Sequence, residues 1–378
     1  MAPNRKKLLI TEALGRSGRD ILAARDDIEV VAFANMIAAP DFLALLQSNS
    51  EVHGVALGGT RFGATEIAAA RGLQVVARIG VGYDAVDVPA LSRKRVPMMV
   101  TGIANSPSVA EQALFFMMAL AKRGAALHAL VQEGRWCDRF VTTPGDLLGK
   151  TVLIVGFGRI GTRTARRCLA MEMTVLVYDP YVAADTVRAA GCEPVADLDA
   201  ALPRADFVSL HCPKTPQTVG LFNAARLRRL RPTAYLVNTA RGGIVDEPAL
   251  HAALTGGVLA GAALDVFERE PTPTDNPLLK LPNVITSPHL AGVTAEAIQR
   301  ITWLYRIEAE AREQTSQQRL QMRQDRSKPL WEQLHLWLQL ERSRVPDGSA
   351  IAKAIDYSLN HWVGLGRFLL DGDVPLDN

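Results

Sequence analysis

The sequence predicts an α/β protein in which parallel strands alternate with helices, and three observations carry this prediction. Short apolar runs recur along most of the chain, separated by helical stretches. One of these runs, residues 151–155, leads directly into glycines at 156, 158 and 161. Near Trp303 the composition changes, because four of the five tryptophans lie from that point on and glutamine becomes frequent.

The amino-terminal region predicts a parallel sheet of its own, in a flavodoxin-like domain of residues 1–103 that is completed by residues 291–310. Its strands are expected at residues 7–10, 28–33, 52–57, 73–79 and 96–100. Gly80 and Gly82 follow the fourth of these strands. They form either a plain tight turn or a nest of backbone N–H groups that binds an anion such as a carboxylate.

A second domain, residues 104–290, is predicted to hold a doubly wound parallel sheet, whose ligands bind at the carboxyl ends of the strands. The strands are expected at residues 151–155, 174–178, 205–211, 233–238, 261–266 and 283–286. Before them, Ser106 and Pro107 begin a helix that runs to Lys122 and is apolar on most of its surface. Such a helix is buried, either in a core or against a second subunit.

The glycine-rich turn after residues 151–155 predicts a dinucleotide site of the Rossmann type. Gly156 permits the tight turn, Gly158 lets a diphosphate approach the backbone, and Gly161 lets the following helix pack closely on the strand. The next strand ends in Asp179, which lies 18 residues after Gly161. A carboxylate there binds ribose hydroxyls and repels a 2′-phosphate, so NAD is expected rather than NADP.

Three ionisable residues, Arg241, Glu270 and His289, follow the later strands of this sheet. Taken singly, each also fits an ordinary loop or turn position. Their convergence on one sheet edge favours catalysis, because hydride addition to a 2-keto acid builds negative charge on the carbonyl oxygen. A histidine then donates the proton, a carboxylate fixes the histidine tautomer, and an arginine binds the substrate carboxylate. Asp265, at a strand end nearby, is a candidate ligand of the nicotinamide carboxamide.

The sequence resembles the NAD-dependent D-2-hydroxyacid dehydrogenases, a family that includes D-3-phosphoglycerate dehydrogenases and hydroxypyruvate or glyoxylate reductases. The resemblance covers about residues 7–302. It rests on the segments RIGVGYDAVD, ANSPSVAEQALFFMMALAKR, GKTVLIVGFGRIG, VYDP, LHCPKTPQT, NTARGGIVDE, ALDVFEREP and SPHLAG.

This resemblance implies an enzyme that interconverts a small 2-keto acid and its D-2-hydroxy acid. It assigns Arg241 to substrate binding, Glu270 to orienting the histidine, and His289 to acid–base catalysis. Cofactor contacts fall on Gly156, Gly158, Arg159, Ile160, Gly161, Asp179, His211, Cys212, Pro213, Thr218, Thr239, Ala240, Arg241, Asp265 and His289. Substrate contacts fall on Arg78, Gly80, Val81, Gly82, Asn105 and Arg241. A homodimer formed through the NAD-binding domain, using the helix at 108–122, is also implied.

Residues 304–378 resemble the C-terminal part of insertion-sequence transposases with an Asp-Asp-Glu active site. The catalytic glutamate of that family would follow Asp377 and Asn378, and the upstream aspartates are absent, so no transposase activity is expected. We predict an all-α extension, residues 311–378, whose two amphipathic helices are separated by a turn at residues 346–348. The extension either exposes an apolar face or docks loosely as a solvated appendage.

Composition argues against several other classes of function. The formal net charge is only +3, so no broad basic field for nucleic acid exists. The longest apolar run, residues 113–121, is too short to cross a bilayer, and no membrane partner is expected. Cys137, Cys168, Cys192 and Cys212 form no C-x-x-C pair. Neither a metal site nor a disulfide framework is therefore expected, and the cytoplasm is the expected location.

Two other functions stay open on the sequence alone. NAD-sensing transcriptional corepressors share this fold and keep the same three ionisable residues, so those residues do not separate a sensor from an enzyme. The chain also fits an inactive product of a gene interrupted by a mobile element. The substrate is undetermined, since Arg78 and Arg139 are candidates for binding a substrate phosphate but solvated positions fit them equally.

Overall fold

The computed structural model describes residues 5–49, 51–80, 82–100, 105–141, 143–294, 314–329, 331–332, 339, 359 and 370. The chain up to Asn105 belongs to one compact unit, and a second unit begins at Ser106. Each unit is built on its own parallel sheet, which confirms the predicted α/β class.

Strands and helices alternate through the first unit. They are β1 (Lys6–Thr11), α1 (Arg16–Ala23), β2 (Ile28–Phe33), α2 (Ala39–Ser48), β3 (Gly54–Leu57), α3 (Ala64–Ala69), β4 (Val75–Arg78), α4 (Val88–Lys94) and β5 (Met98–Val100). The strands pair in the order β2-β1-β3-β4-β5, which is the flavodoxin-like order. Phe33, Phe42 and Phe62 pack in its core with ring centroids 4.9 and 5.9 Å apart.

The second unit opens with two helices and continues as a doubly wound sheet. Its elements are α5 (Ser106–Lys122), α6 (Gly124–Gln132), β6 (Thr151–Val155), α7 (Arg159–Ala170), β7 (Thr174–Tyr178), α8 (Ala184–Ala189), β8 (Glu193–Pro194), α9 (Leu198–Ala201), β9 (Phe207–Leu210), α10 (Ala224–Leu227), β10 (Tyr235–Asn238), α11 (Glu247–Thr255), β11 (Gly261–Leu264) and β12 (Val284–Thr286). Short 3₁₀ helices lie at Trp136–Phe140, Leu202–Arg204 and Pro277–Lys280. The strand order is β12-β11-β10-β9-β6-β7-β8, so the order reverses between β6 and β9, where such sheets open a ligand crevice.

Both faces of this sheet are buried, which explains why its strands are apolar throughout. Val152 and Ile154 of β6 face one apolar cluster, whereas Leu153 and Val155 face another on the opposite side. All strands predicted from the sequence are present, with ends within two residues of the expected positions. The edge strand β8 was not predicted, because Glu193–Pro194 carries no apolar run and proline is tolerated only at a sheet edge.

Part of the carboxyl-terminal region is described. A helix α12 (Ser316–Met322) begins at Thr315, whose hydroxyl accepts a hydrogen bond from the Gln318 N–H at 3.3 Å, and a π-helical turn (Arg323–Ser327) follows it. The turn at 346–348, most of both predicted amphipathic helices and the segment 295–310 lie outside the described residues. The division at 103 and 311 stays a prediction.

No single helix in the described ranges is long and apolar enough to cross a membrane. The pair α5 and α6, bent by 54°, meets that test only jointly and by length and composition alone.

Candidate active site

Three predicted catalytic residues lie on loops that follow neighbouring strands of the second unit. Arg241 comes after β10, Glu270 after β11 and His289 after β12. Because these parallel strands are adjacent, their carboxyl ends meet at one edge of the sheet. His289 Nδ1 lies 2.6 Å from Glu270 Oε2, and the charge of Arg241 acts on the Glu270 carboxylate. The structure therefore brings the three residues together.

Glu270 carries a negative charge at neutral pH. Burial alone would raise its pKa, but hydrogen bonds from His289 and from the Phe267 N–H (2.9 Å), with the charges of His289 and Arg241, hold the pKa of Glu270 below its ordinary value of 4.5. The ionised carboxylate of Glu270 accepts a hydrogen bond from Nδ1–H of His289. Nε2 is therefore the ring nitrogen that can exchange a proton with a substrate. The His289 side chain is 46 % exposed, so a substrate has access to it.

His289 has a backbone conformation that few residues other than glycine adopt. Its φ angle is +54°, in the left-handed region that costs about 1–2 kcal/mol for a residue with a Cβ atom. Asp265, one residue beyond β11, meets this loop with a carboxylate that is almost fully buried. Its predicted contact with the nicotinamide carboxamide stays a prediction.

The loop that carries Arg241 is held by Asn238, the last residue of β10. The Asn238 side chain accepts a hydrogen bond from the Ala240 N–H at 3.0 Å and donates one to the Arg241 carbonyl oxygen at 3.0 Å. Arg241 Nη1 donates to the Ala240 carbonyl oxygen at 2.7 Å. These hydrogen bonds hold the backbone at Arg241, and with it the guanidinium group, near the end of β10.

A glutamate on α11 holds the loop that carries Glu270. Glu247 accepts hydrogen bonds from the Glu268 N–H and from Asn276 Nδ2, the latter at 3.1 Å. Sequence reasoning missed both Asn238 and Glu247. Asn238 could have been noticed as a short polar residue at the end of an apolar strand. Glu247 could not, because an acidic residue in the first turn of a helix is common.

The glycine turn after β6 has the packing that the sequence predicts. Gly156 has a φ of +97°, and a Cβ there would lie 2.7 Å from the Cys212 backbone N. A Cβ on Gly161 would lie 2.0 Å from the Gly156 carbonyl oxygen, whereas one on Gly158 would meet no atom within 4 Å. The open space at Gly158, at the N-terminus of the 12-residue helix α7, fits a diphosphate.

Asp179, the residue after β7, reaches back to this turn. Its Oδ2 accepts a hydrogen bond from the Phe157 N–H at 2.7 Å, and its Oδ1 accepts one from the Tyr181 N–H at 2.9 Å. Arg159 and Ile160 begin α7 beside it. The carboxylate therefore lies at the mouth of the glycine turn, where ribose hydroxyls of NAD are expected.

The chain just beyond β9 packs against Gly156, and its residues His211 and Cys212 are half-buried. His211 Nε2 lies 2.9 Å from Ser209 Oγ, and Nδ1 makes no hydrogen bond within the described part of the chain. Burial lowers the pKa of His211 to about 3, so its ring is neutral, and burial raises the pKa of the Cys212 thiol to about 11. Neither side chain brings charge to the crevice at neutral pH.

The remaining cofactor candidates in this unit are loop residues. Thr218 Oγ1 donates to the Pro213 carbonyl oxygen at 2.6 Å and accepts from the Thr215 N–H at 2.7 Å, so it closes its own loop. Thr239 and Ala240 are buried just beyond β10, and Thr239 Oγ1 makes no hydrogen bond with any described residue. An unpaired hydroxyl at this edge of the sheet fits a polar ligand.

The other substrate candidates belong to the first unit. Arg78 ends β4, and its Nη1 donates to the carbonyl oxygen of the next residue at 2.7 Å. Gly80 has a φ of +138°, Gly82 is half-buried, and Asn105 Oδ1 is buried with no hydrogen bond among the described residues. Val81 lies outside the described residues. Their assignment to the substrate stays a prediction.

The fold and the site together define a dinucleotide-binding protein with a histidine–carboxylate pair and an arginine at the sheet edge. Residues 114–291 match the sequence profile described as D-isomer specific 2-hydroxyacid dehydrogenase, NAD binding domain. The chain is 40 % identical over 241 residues to a glyoxylate reductase of Thermofilum pendens, a match that covers 62 % of this chain and 70 % of that protein. The chain belongs to the D-isomer specific 2-hydroxyacid dehydrogenase family.

Two further comparisons extend this result. The D-3-phosphoglycerate dehydrogenase of Archaeoglobus fulgidus is 41 % identical over 238 residues, which cover 63 % of this chain. The chain spans about half the length of the D-3-phosphoglycerate dehydrogenases it matches, 45 % and 54 % in two of them. A crystal structure of D-lactate dehydrogenase from Aquifex aeolicus, complexed with NAD and lactic acid, matches with a TM-score of 0.71 at 26 % identity, covering 80 % of this chain and 94 % of that one.

The carboxyl-terminal region has a different relationship. Residues 281–378 match the transposase IS66 family, which confirms the predicted resemblance of the tail and places its start earlier than expected.

Within the described ranges, no group of three or more His, Cys, Asp or Glu side chains is arranged to hold a metal ion.

Gly161→Ala should destabilise the protein, because the new methyl group would lie 2.0 Å from the Gly156 carbonyl oxygen. We expect the free energy of unfolding, measured by urea denaturation, to fall by about 1–3 kcal/mol. Gly158→Ala is the matched variant, and it should lower the free energy of unfolding by less than about 1 kcal/mol. It should nevertheless weaken NADH binding by about tenfold or more, because the new methyl group would occupy the space proposed for the diphosphate. A Gly161→Ala protein as stable as the wild type would contradict the packing role.

The neutral ring of the half-buried His211 should make stability depend on pH. The folded pKa is about 3, whereas an unfolded chain titrates near about 6.5, so the unfolded state binds more protons between these values. The free energy of unfolding therefore rises as the pH increases across this window. The stability that the neutral ring contributes is lost as the pH falls through the same window. His211→Gln should reduce the slope by up to about 1.4 kcal/mol per pH unit, measured by urea denaturation at several pH values, with His251→Gln as the control. An unchanged slope would show that the folded state does not keep the His211 ring neutral.

Proposed function

We propose that this chain is an NAD-dependent dehydrogenase that interconverts a small 2-keto acid and its D-2-hydroxy acid. The observation that carries the proposal is the 2.6 Å hydrogen bond between His289 Nδ1 and Glu270 Oε2, on the sheet edge that also presents Arg241. The names of three relatives support it, since they are called D-3-phosphoglycerate dehydrogenase, glyoxylate reductase and D-lactate dehydrogenase. The proposed location is the cytoplasm, on the cysteine pattern alone.

The three side chains divide the work in this proposal. Bound NADH supplies the hydride that reduces the keto carbon. His289 donates a proton from Nε2 to the carbonyl oxygen, because its Nδ1 is committed to Glu270. Arg241 binds the substrate carboxylate, because the planar guanidinium group matches the two oxygens of a carboxylate. In the oxidation direction, His289 takes the proton from the hydroxyl group.

Turnover on a panel of keto acids tests this proposal. We expect NADH oxidation with at least one of glyoxylate, pyruvate, hydroxypyruvate and 3-phosphohydroxypyruvate, and the panel also identifies the substrate. His289→Ala should lower kcat by about 10²–10⁴-fold, because the proton donor is lost. His251→Ala, on the surface helix α11 of the same unit, is the control and should keep normal kcat.

The outcomes of that panel are separable. NADH binding without turnover on any substrate would exclude the enzyme and favour an NAD-sensing protein. A folded chain that neither binds NADH nor turns over would instead support the inactive gene product.

We also propose that a second copy of the chain covers an apolar surface, here called the α5–α6 surface, made by α5, α6 and the described residues 136–141 and 143–148. On α5, Phe115 is 56 % exposed and Met118 is 37 % exposed. No residue of α6 is buried, although its sequence GAALHALVQ is largely apolar. Helix α6 packs on both α5 and the 3₁₀ helix that follows, so these side chains form one region. Large exposed apolar patches mark interfaces.

Aromatic side chains extend the α5–α6 surface. Trp136 and Phe140 are 62 % and 78 % exposed, and the Arg139 guanidinium lies 4.6 Å from the Phe140 ring centroid. Exposed aromatic residues and arginine are enriched where proteins associate. This contact supports a role for Arg139 at the proposed interface.

The dimer proposal has a direct test. Met118→Glu combined with Val131→Glu, the latter at a position of α6 that is 58 % exposed, should convert a dimer into a monomer, because two charges on the α5–α6 surface would be buried without partners. Sedimentation velocity measures the change. Val30→Glu, at an exposed position of the edge strand β2, is the control and should leave the dimer intact. A wild-type chain that sediments as a monomer at all concentrations would refute the proposal.

A further inference from the structure

The Asp265 side chain forms its hydrogen bonds with the loop that carries the proposed proton donor, His289. The Asp265 side chain is only 1 % exposed. Oδ1 accepts hydrogen bonds from the Leu290 N–H at 2.9 Å and from Ser287 Oγ, and Oδ2 accepts one from the Ala291 N–H at 3.0 Å. All three donors flank His289. Both carboxylate oxygens are therefore used to hold this loop.

The backbone of Asp265 holds the same loop. Its carbonyl oxygen accepts a hydrogen bond from the His289 N–H at 2.8 Å, and its own N–H donates to the Asn238 carbonyl oxygen at 3.0 Å. The His289 backbone is thus tied through one residue to the end of β10. A loop with this many attachments to one residue has little freedom to rotate.

The backbone conformation of His289 explains why such attachments are needed. A φ of +54° is unfavourable for histidine, so the loop would relax toward a common conformation if nothing held it. Relaxation would rotate the Cα–Cβ bond and carry Nδ1 away from Glu270 Oε2, which now lies at 2.6 Å. The position of the ring therefore depends on the residues that fix the backbone.

We infer that Asp265 is a positioning residue for His289: its buried carboxylate holds the loop in the conformation at which the imidazole meets Glu270. The inference rests on the proposed function. Each oxygen of the carboxylate accepts at least one hydrogen bond from this loop, and these bonds fix the backbone on both sides of His289.

Asp265→Asn is the decisive variant. An amide group keeps the shape but places N–H donors against a backbone N–H, so at least one hydrogen bond to the loop is replaced by a repulsive contact. We expect kcat to fall by about a hundredfold, with the dissociation constant of NADH changed by less than about threefold. Hydrogen–deuterium exchange of the Leu290 and Ala291 amides should accelerate by about tenfold or more.

A matched control separates positioning from general stability. Asp206 also accepts a backbone hydrogen bond at the end of a strand, from the Thr151 N–H at 2.9 Å, but it precedes β9 and so lies at the opposite ends of the strands. Asp206→Asn should lower stability without changing kcat or the exchange of the Leu290 and Ala291 amides.

Ser287 provides a second test if Asp265→Asn fails to fold. Ser287→Ala removes one of the three donors and should lower kcat by about three- to tenfold. Ser287→Thr restores a hydroxyl group and should recover most of that loss. Recovery by the conservative variant would not follow from a merely structural role.

The results decide between the inference and its rivals. If Asp265→Asn keeps kcat within about threefold of wild type, the inference is wrong while the proposed function stands. If NADH affinity falls by about tenfold or more with unchanged amide exchange, Asp265 is a cofactor ligand and the inference is also wrong. If the wild type shows no turnover, the proposed function fails, and the exchange of the Leu290 and Ala291 amides alone decides whether Asp265 holds the loop.

Discussion

The parallel register of β10, β11 and β12 determines where the candidate catalytic residues lie. Asn238 pairs with Leu264, and Leu264 pairs with Thr286, so the three strands end on one line across the sheet. Each loop starts from that line, and the catalytic candidates follow within a few residues. A slip of one residue in any pairing would turn the inward-facing residues of that strand to the other face and would move its loop away from the others.

Strand ends create a second constraint, because the loops that leave a sheet lose the hydrogen bonds of the ladder. In this protein, polar side chains at or just beyond the strand ends replace them. Asn238 does so for the loop of Arg241, and Asp265 does so for the loop of His289. The same buried groups thus satisfy the backbone and hold the loops of the candidate catalytic side chains, so local stability and site geometry are coupled.

Much of the fold was predictable because buried parallel strands are apolar on both faces, as Thr151–Val155 shows, and because glycine requirements are local. The three catalytic candidates, Arg241, Glu270 and His289, were predictable from the rule that ligands bind at the carboxyl ends of parallel strands. The sequence does not reveal which polar groups meet across loops. The contact of Asp265 with Ala291 joins residues 26 positions apart, and the burial of His211 depends on how the chain beyond β9 packs on Gly156. Those features appear only once three-dimensional neighbours are known.

The two family relationships of the chain overlap in a short stretch. The dehydrogenase match ends at residue 291, and the transposase match begins at residue 281. The last donor that Asp265 requires is the N–H of Ala291. The stretch shared by both matches, residues 281–291, thus contains His289 and the Ala291 N–H that donates to Asp265. A sequence change in that stretch would therefore alter the loop of the candidate histidine together with the start of the transposase-like region.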